Sequence, residues 1–287
     1  MEPRRLKAIL QLPVKRRFDL IAEGLEALTR QVARLHEDAK HLVRLERPHG
    51  AGIVEAFFLE EAAKVLILLD LVRTDPQDGK SWSTQISWFY SHLARCLYAT
   101  AYQGSPASLG EVRRYLDTLR ESHYLDGPND VDWIFRNQPI SERERVLYVD
   151  LVETEDELLW WGPSEDPICW VSGRLPELVS SLARMGITSR DGLDMVSAAW
   201  KNVSINDSTP WWDIRRMNSQ VLQSMIDGNL YDEASATKDD FNTVLNHWIF
   251  PLQTLDLSEK KVSIEDLKRK RQRVLEQYMY EEWGYPS

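Results

Sequence analysis

A chain of 287 residues, 43% hydrophobic and 28% charged, has the make-up of a globular protein and the length to bury a real core. Its net charge of −10 argues against a protein that coats nucleic acid without selectivity, although a local basic site is compatible with an acidic whole. The two cysteines, Cys96 and Cys169, give neither a disulfide framework nor a zinc pattern and point to a reducing cytoplasm.

The basic start MEPRRLKAILQLPVKRRF lacks the apolar stretch of a signal peptide, and no apolar run reaches the roughly 18 residues of a membrane span. A helix is predicted over 18–46, where Ile21, Leu25, Leu28, Val32, Leu35, Ala39 and Leu42 alternate at spacings of four and three. Pro48 and Gly50 are expected to end it. A second helix follows over 51–73, stopped by TDPQDG. A third covers 81–102, with Trp82, Ile86, Phe89, Leu93 and Cys96 on one side. After QGSPAS, Ser108 stands three residues before Glu111, the capping box of a fourth helix running to about 122. Short links between long helices imply an antiparallel bundle.

The texture changes after LDGPND. RVLYVDLVE and ELLWWGP read as two strands around the acidic turn TED, a hairpin. Helices return at 175–185 closed by Gly186, 190–203, 210–227 closed by Gly228, 238–249 capped by Thr237, and 263–283 capped by Ser263. The expected protein is mainly α: a basic tail over 1–17, an antiparallel helical bundle over 18–125, a linker and small β-hairpin over 126–163, and a helical C-terminal region over 164–287.

The second helix poses a problem. With about 100° per residue, Lys64 lies about 40° and Glu61 about 100° from Glu60, in the sector of Ile53, Phe57, Leu68 and Leu71. Glu55, Asp70 and Arg73 fall opposite, on the expected solvent side. Charges on an inward face are costly unless paired, and Lys64 is one turn from both glutamates. The cluster is either an internal polar network that fixes helix packing or the lining of a cleft.

Elsewhere, EDLKRKRQR gathers Lys268, Arg269, Lys270, Arg271 and Arg273, either a solvated helix face or a contact for RNA phosphates. Arg4, Arg5, Lys7, Lys15, Arg16 and Arg17 have the same ambiguity. Adjacent Trp160-Trp161 and Trp211-Trp212 fit a core or interface better than base stacking. No Gly-rich phosphate loop, GxSxG elbow or HExxH occurs.

LHEDAKHLVRLERPHGAGIVEAFFLEEAAKVLILLDL resembles the N-terminal signature of the AbiV abortive-infection family, a branch of the HEPN superfamily of helical bundles. The matching features are Asp38-Ala39 late in the first helix, Glu60, Glu61 and Lys64 as EExxK in the second, and His92 in FYSHLARCLY. RERVLYVDLVETEDELLWWGP extends the likeness, which covers 18–163; Ala63 departs from the glycine common before the lysine. The resemblance implies an HEPN-like bundle, a role in bacterial defence against phage, and homodimerisation. Many HEPN proteins are metal-independent RNases with an R-x4–6-H pair. Histidine takes the 2′-hydroxyl proton or protonates the leaving oxygen, while arginine stabilises the phosphorane.

Arg30 and His36, Arg34 and His41, and Arg44 and His49 have that spacing, but about as often as composition alone yields, and all lie on the first helix or its end. His92 is the stronger candidate: it flanks the apolar seam, half buried, with Arg95 one turn on and further toward solvent. If helices two and three pack antiparallel, His92 meets Glu60, Glu61 or Lys64, and a histidine among carboxylates can move protons near neutrality. The expected catalytic set is Asp38, Glu60, Glu61, Lys64, His92 and Arg95. A metal would suit the carboxylates and histidine, but the Lys64 ammonium would repel it, so neither metal nor cofactor is expected.

The reading is an anti-phage effector acting on RNA as a metal-independent ribonuclease. The alternative is a non-catalytic protein that senses a phage component or blocks a host process by binding; a small-molecule or nucleotide-binding bundle with the Lys64 cluster as its floor is a third reading.

Overall fold

The computed structural model of the protein describes residues 5–124, 134–135, 138–153, 158–162 and 173–263, with Glu265, Asp266, Arg269, Arg273 and Glu276. Arg4, LDGPND, the TED turn, Cys169, Lys268, Lys270 and Arg271 lie outside the described residues. The protein is mainly helical. A short 3-10 turn, Leu6–Gln11, leads into α1 (Val14–Arg44) and α2 (Pro48–Val72), the two longest helices. Ile21, Leu25, Val32 and Ala39 of the α1 seam are fully buried. Pro48 does not end α1. The chain turns at 45–47, with Glu46 at φ 56°, and Pro48 opens α2, where its missing N–H has no helical partner to lose.

The expected third helix is two helices, α3 (Gly79–Tyr90) and α4 (His92–Gln103). Ser91 is extended between them, and its hydroxyl caps the Ala94 N–H at 3.2 Å. α5 (Leu109–Leu119) starts at Ser108, which caps Glu111 N–H, while the Glu111 carboxylate accepts from Ala107 N–H. β1 (Glu121–Tyr124) pairs antiparallel with β2 (Ile134–Phe135). The segment expected to begin a strand at Arg145 instead ends α6 (Gln138–Leu147). β3 (Asp150–Glu153) and β4 (Leu158–Trp161) then pair antiparallel, Leu151 opposite Trp160.

α7 (Arg174–Arg184), α8 (Arg190–Trp200), α9 (Trp211–Asp227) and α10 (Lys238–His247) follow close to their predicted positions. β5 (Lys260–Lys261) pairs parallel with β1. Trp211 packs edge-on against Phe250, whereas Trp212 and Trp160 are exposed. Gly186 has φ +72°, and a Cβ there would stand 1.9 Å from the Leu230 carbonyl oxygen. Gly186→Ala is therefore expected to cost more than about 1 kcal/mol in a urea melt, since both backbone and space forbid the methyl.

α2 is surrounded by α1, α3, α4, α6, α7 and α8. This overturns the expected solvent side: Glu55, Asp70 and Arg73 are buried, and Phe57, expected inward, is 47% exposed. A wheel presumes one dry face, but a central helix is covered all round near its C-terminal end. Asp70 and Arg73 are paired there. Asp70 accepts from Arg73, from the Tyr98 hydroxyl at 3.1 Å and from Leu252 N–H at 2.8 Å. Arg73 also donates to the Ile249 carbonyl and stacks over Trp248, 3.6 Å from its ring centre. One apolar cluster runs from Ile9 through α2 and α4 to Leu257.

Candidate active site

Glu60 is the centre of a cluster drawn from three helices. From α4, the His92 ring brings Nδ1 to 2.9 Å from Glu60 Oε2, and Arg95 Nη2 reaches the same oxygen at 2.7 Å. From α6, Arg143 donates from Nε to Oε1 at 2.5 Å. The Glu60 side chain is 9% exposed and that of His92 54%. Burial pushes the Glu60 carboxyl up, but the Arg143 hydrogen bond and the charges of Arg95, Arg143 and His92 outweigh it, so it sits below the usual carboxylate range. Two guanidiniums meet on this one carboxylate, and Glu142, beside Arg143 in sequence, adds a second negative charge that reaches Cys96 on α4.

His92 Nδ1 also lies 2.7 Å from Arg95 Nη2. Nδ1 therefore stands between an acceptor, Glu60 Oε2, toward which it would carry a hydrogen, and a donor, Arg95 Nη2, toward which it would present a lone pair. In the tautomer that donates to Glu60, the lone pair is on Nε2, in a ring more than half exposed. A carboxylate holding one histidine nitrogen so that the other can accept a proton is a common catalytic arrangement.

The break at Ser91 explains both this site and two corrections. A continuous wheel over 81–102 places Arg95 toward solvent and His92 half buried. The helix restarts at His92, so Arg95 is turned inward, 8% exposed, and His92 outward. Arg95 Nη1 donates to the Phe89 carbonyl at 3.3 Å. Lys64 pairs with Glu61 and lies 5.5 Å from the centre of the Phe89 ring. Glu61 and Lys64 thus form a second pair on α2 that braces the end of α3. Asp38 is exposed on α1 and bonded to none of these residues; its neighbour Ala39 is the one turned inward, against Phe58.

Arg143 is the residue that sequence reasoning missed. It stands in the RERVLYVD stretch of the family resemblance, but QPISERERVL has too few apolar residues to mark a helix, and its tail reads as a strand. Its two Nη groups carry no hydrogen bond among the described residues. Arg30, Arg34, His41, Arg44 and His49 are exposed along or after α1, while His36 packs against Phe58. Cys96, one turn beyond His92, is no nucleophile: burial pushes its thiol up to about 12, and Glu60 adds to the shift. Arg269 and Arg273 are exposed together near the C-terminal end, Arg269 paired with Asp266 at 2.8 Å.

Glu60→Gln is expected to destabilise the protein by about 1.5–3 kcal/mol, because two largely buried arginines would lose a charged acceptor. Thermal or urea unfolding at neutral pH checks this; an unchanged midpoint would show that the arginines are satisfied elsewhere.

The mainly helical architecture is that of the HEPN class of helical proteins. The sequence profile of the AbiV family, described as AbiV within HEPN, matches residues 20–169. The chain belongs to the AbiV family of abortive-infection proteins. No curated protein and no solved structure matches it. Among the described residues, no helix is long and apolar enough to cross a membrane.

Proposed function

We propose that the protein is an anti-phage abortive-infection effector that cleaves RNA without a metal ion, with His92 at the reaction centre. The observation that carries this reading is the His92 ring itself, exposed for reaction yet fixed through Nδ1 by a buried carboxylate that two arginines hold.

His92 Nε2 removes the proton of a ribose 2′-hydroxyl, and the 2′-oxygen attacks the adjacent phosphorus. The 5′-oxygen leaves and takes a proton from solvent water, giving a 2′,3′-cyclic phosphate and a 5′-hydroxyl end. Arg143 offers its unused Nη donors to the phosphorane oxygens, where charge develops. Glu60 and Arg95 position the imidazole; Glu61 and Lys64 brace the neighbouring turn. Asp38 has no part in this arrangement. Supporting the RNA reading are the family membership and the Arg143 guanidinium, whose Nη donors are uncommitted among the described residues.

The test is the chemistry of the ends. An oligoribonucleotide cut in EDTA must carry cyclic phosphate and 5′-hydroxyl ends, and the same strand with every 2′-hydroxyl methylated must resist. Cutting of the methylated strand would exclude attack by the 2′-oxygen.

A specific surface favours the second reading, a protein that acts by binding a phage or host component. Val149, Leu151, Leu158 and Trp160 are all exposed, 49–72%, and the strand pairing puts Leu151 beside Trp160. Large apolar side chains shown together to water mark contact surfaces. Leu158→Ser with Trp160→Ser is expected to abolish protection against phage while leaving RNA cleavage intact if that surface receives the signal. Unchanged protection would remove this reading's support.

A further inference from the structure

A second basic site, away from the Glu60 cluster, is built where the chain returns to β1. The parallel pairing sets Lys260 beside Glu121 and Lys261 beside Ser122. Arg120 anchors the returning segment, donating to Asp256 at 3.0 Å and to the Ser258 carbonyl at 3.1 Å, and its own carbonyl accepts from Lys260 N–H. Ser263 caps the Asp266 N–H, and Asp266, Arg269 and Arg273 are each helical.

Together these residues line a groove of about 280 Å³, with Glu121, Lys260, Lys261, Asp266, Arg269 and Arg273 on its walls. Four cations face two carboxylates. Glu121 is neutralised by Lys260 at 2.8 Å and Asp266 by Arg269. Lys261 and Arg273 make no ion pair among the described residues, and both are exposed. In a chain of net charge −10, this is a local surplus of positive charge in a concave site.

We infer that this groove holds the phosphate backbone of an RNA strand, with Lys261 and Arg273 as its free phosphate contacts and Lys260 and Arg269 already set in place by their carboxylates. A groove whose cations lie on a strand and at helical positions 269 and 273 suits consecutive phosphates better than one small anion, and among the described residues its lining offers no aromatic platform that would select a base. It rests on the RNA reading above for its ligand alone. Binding and cleavage are separable, because a strand with methylated 2′-hydroxyls is bound but not cut.

The experiment is fluorescence anisotropy of a labelled, fully 2′-O-methylated oligoribonucleotide with the full chain, as wild type, Lys261→Glu/Arg273→Glu, the milder Arg273→Gln, and a control reversal at exposed Lys201, Lys201→Glu. Melting curves verify folding. The double reversal is expected to weaken binding at low salt by roughly tenfold or more, and to reduce the salt slope by about 0.7 for each phosphate that the variant no longer neutralises. Arg273→Gln gives a smaller loss in the same direction, and Lys201→Glu binds as wild type. Inorganic phosphate should compete only weakly; competition as strong as that of the strand would replace the RNA assignment with a small anion. Equal binding by all variants, or none by the wild type, overturns the inference, while cleavage of an unmodified strand would still stand or fall with His92.

Discussion

His92→Ala will lower RNA cleavage by about a hundredfold to ten-thousandfold, the contribution of a positioned general acid or base. The same variant will fold as the wild type does, with its stability changed by no more than about 0.5 kcal/mol, because the ring is more than half exposed and fills no core space. This pairing of effects separates chemistry from architecture. A histidine retained only to hold Glu60 would lose stability on removal and leave cleavage intact. Glu60 would still be bound by Arg95 and Arg143 in the variant, so the surrounding helices stay joined. Kinetics on a defined oligoribonucleotide and a urea melt, read on the same preparation, check both halves. Full activity in His92→Ala would remove this residue from the reaction.

Asp70→Ala will destabilise the protein by about 3–5 kcal/mol, the usual cost of leaving one member of a buried ion pair alone. Three donors would lose their acceptor: the Arg73 guanidinium, the Tyr98 hydroxyl and Leu252 N–H. Two of these come from segments far from α2 in sequence, so the loss loosens the seat of the C-terminal helices on the N-terminal ones. Asp70→Leu combined with Arg73→Met should recover much of the loss, since it removes both charges together. A double variant no better than Asp70→Ala would place the damage in packing rather than in the stranded charge.

The pH dependence of the same pair has a definite sign. Burial pushes the Asp70 carboxyl up to about 6, against the Arg73 charge, the Leu252 N–H and the Tyr98 hydroxyl. Burial also lowers Arg73, though an arginine there stays charged. A carboxyl raised in the folded state contributes stability fully below its unfolded value of about 4, and that contribution is lost as pH rises through about 6. The stability difference between wild type and Asp70→Ala should therefore widen as pH falls from about 6 to about 4 and be level above about 7. Urea midpoints across that range measure it; a difference that narrows on acidification would mean that the partners outweigh burial.

Local chemistry was legible in the sequence where one residue decides the outcome. Thr237 caps α10 with Asp240 reciprocating, and Gly186 stops α7 in a conformation that few other residues adopt. The heptad-like spacing of Ile21, Leu25 and Val32 marks the buried seam of α1. What could not be read depended on neighbours. Ser91 interrupts a sequence whose apolar spacing runs on without a break, and that interruption turns Arg95 in and His92 out. The depth of Asp70 and Arg73 follows from Tyr98 of α4, Trp200 of α8 and the segment from Trp248 to Leu252 closing over them, none of which a window of α2 contains.

The candidate site divides in the same way. His92 was expected near Glu60, Glu61 or Lys64 from the family motif and an assumed antiparallel packing, and the structure brings it to 2.9 Å from Glu60. Asp38 was grouped with them by its place in a short motif, and it faces solvent instead. Arg143 escaped notice because its helix is too polar to announce itself, although the arginine completes the charge around Glu60. Partners supplied by a third element are invisible to periodicity.

The measurement that tests the central claim most directly is incubation of total bacterial RNA in EDTA with purified wild type and His92→Ala, each with and without a phage lysate as trigger. The account predicts cleavage by wild type in at least the triggered reaction, with cyclic phosphate ends, and none by His92→Ala at matched fold. Intact RNA in every wild-type reaction, or equal cleavage by both proteins, would contradict it and leave Glu60, Arg95 and Arg143 as a polar latch between helices.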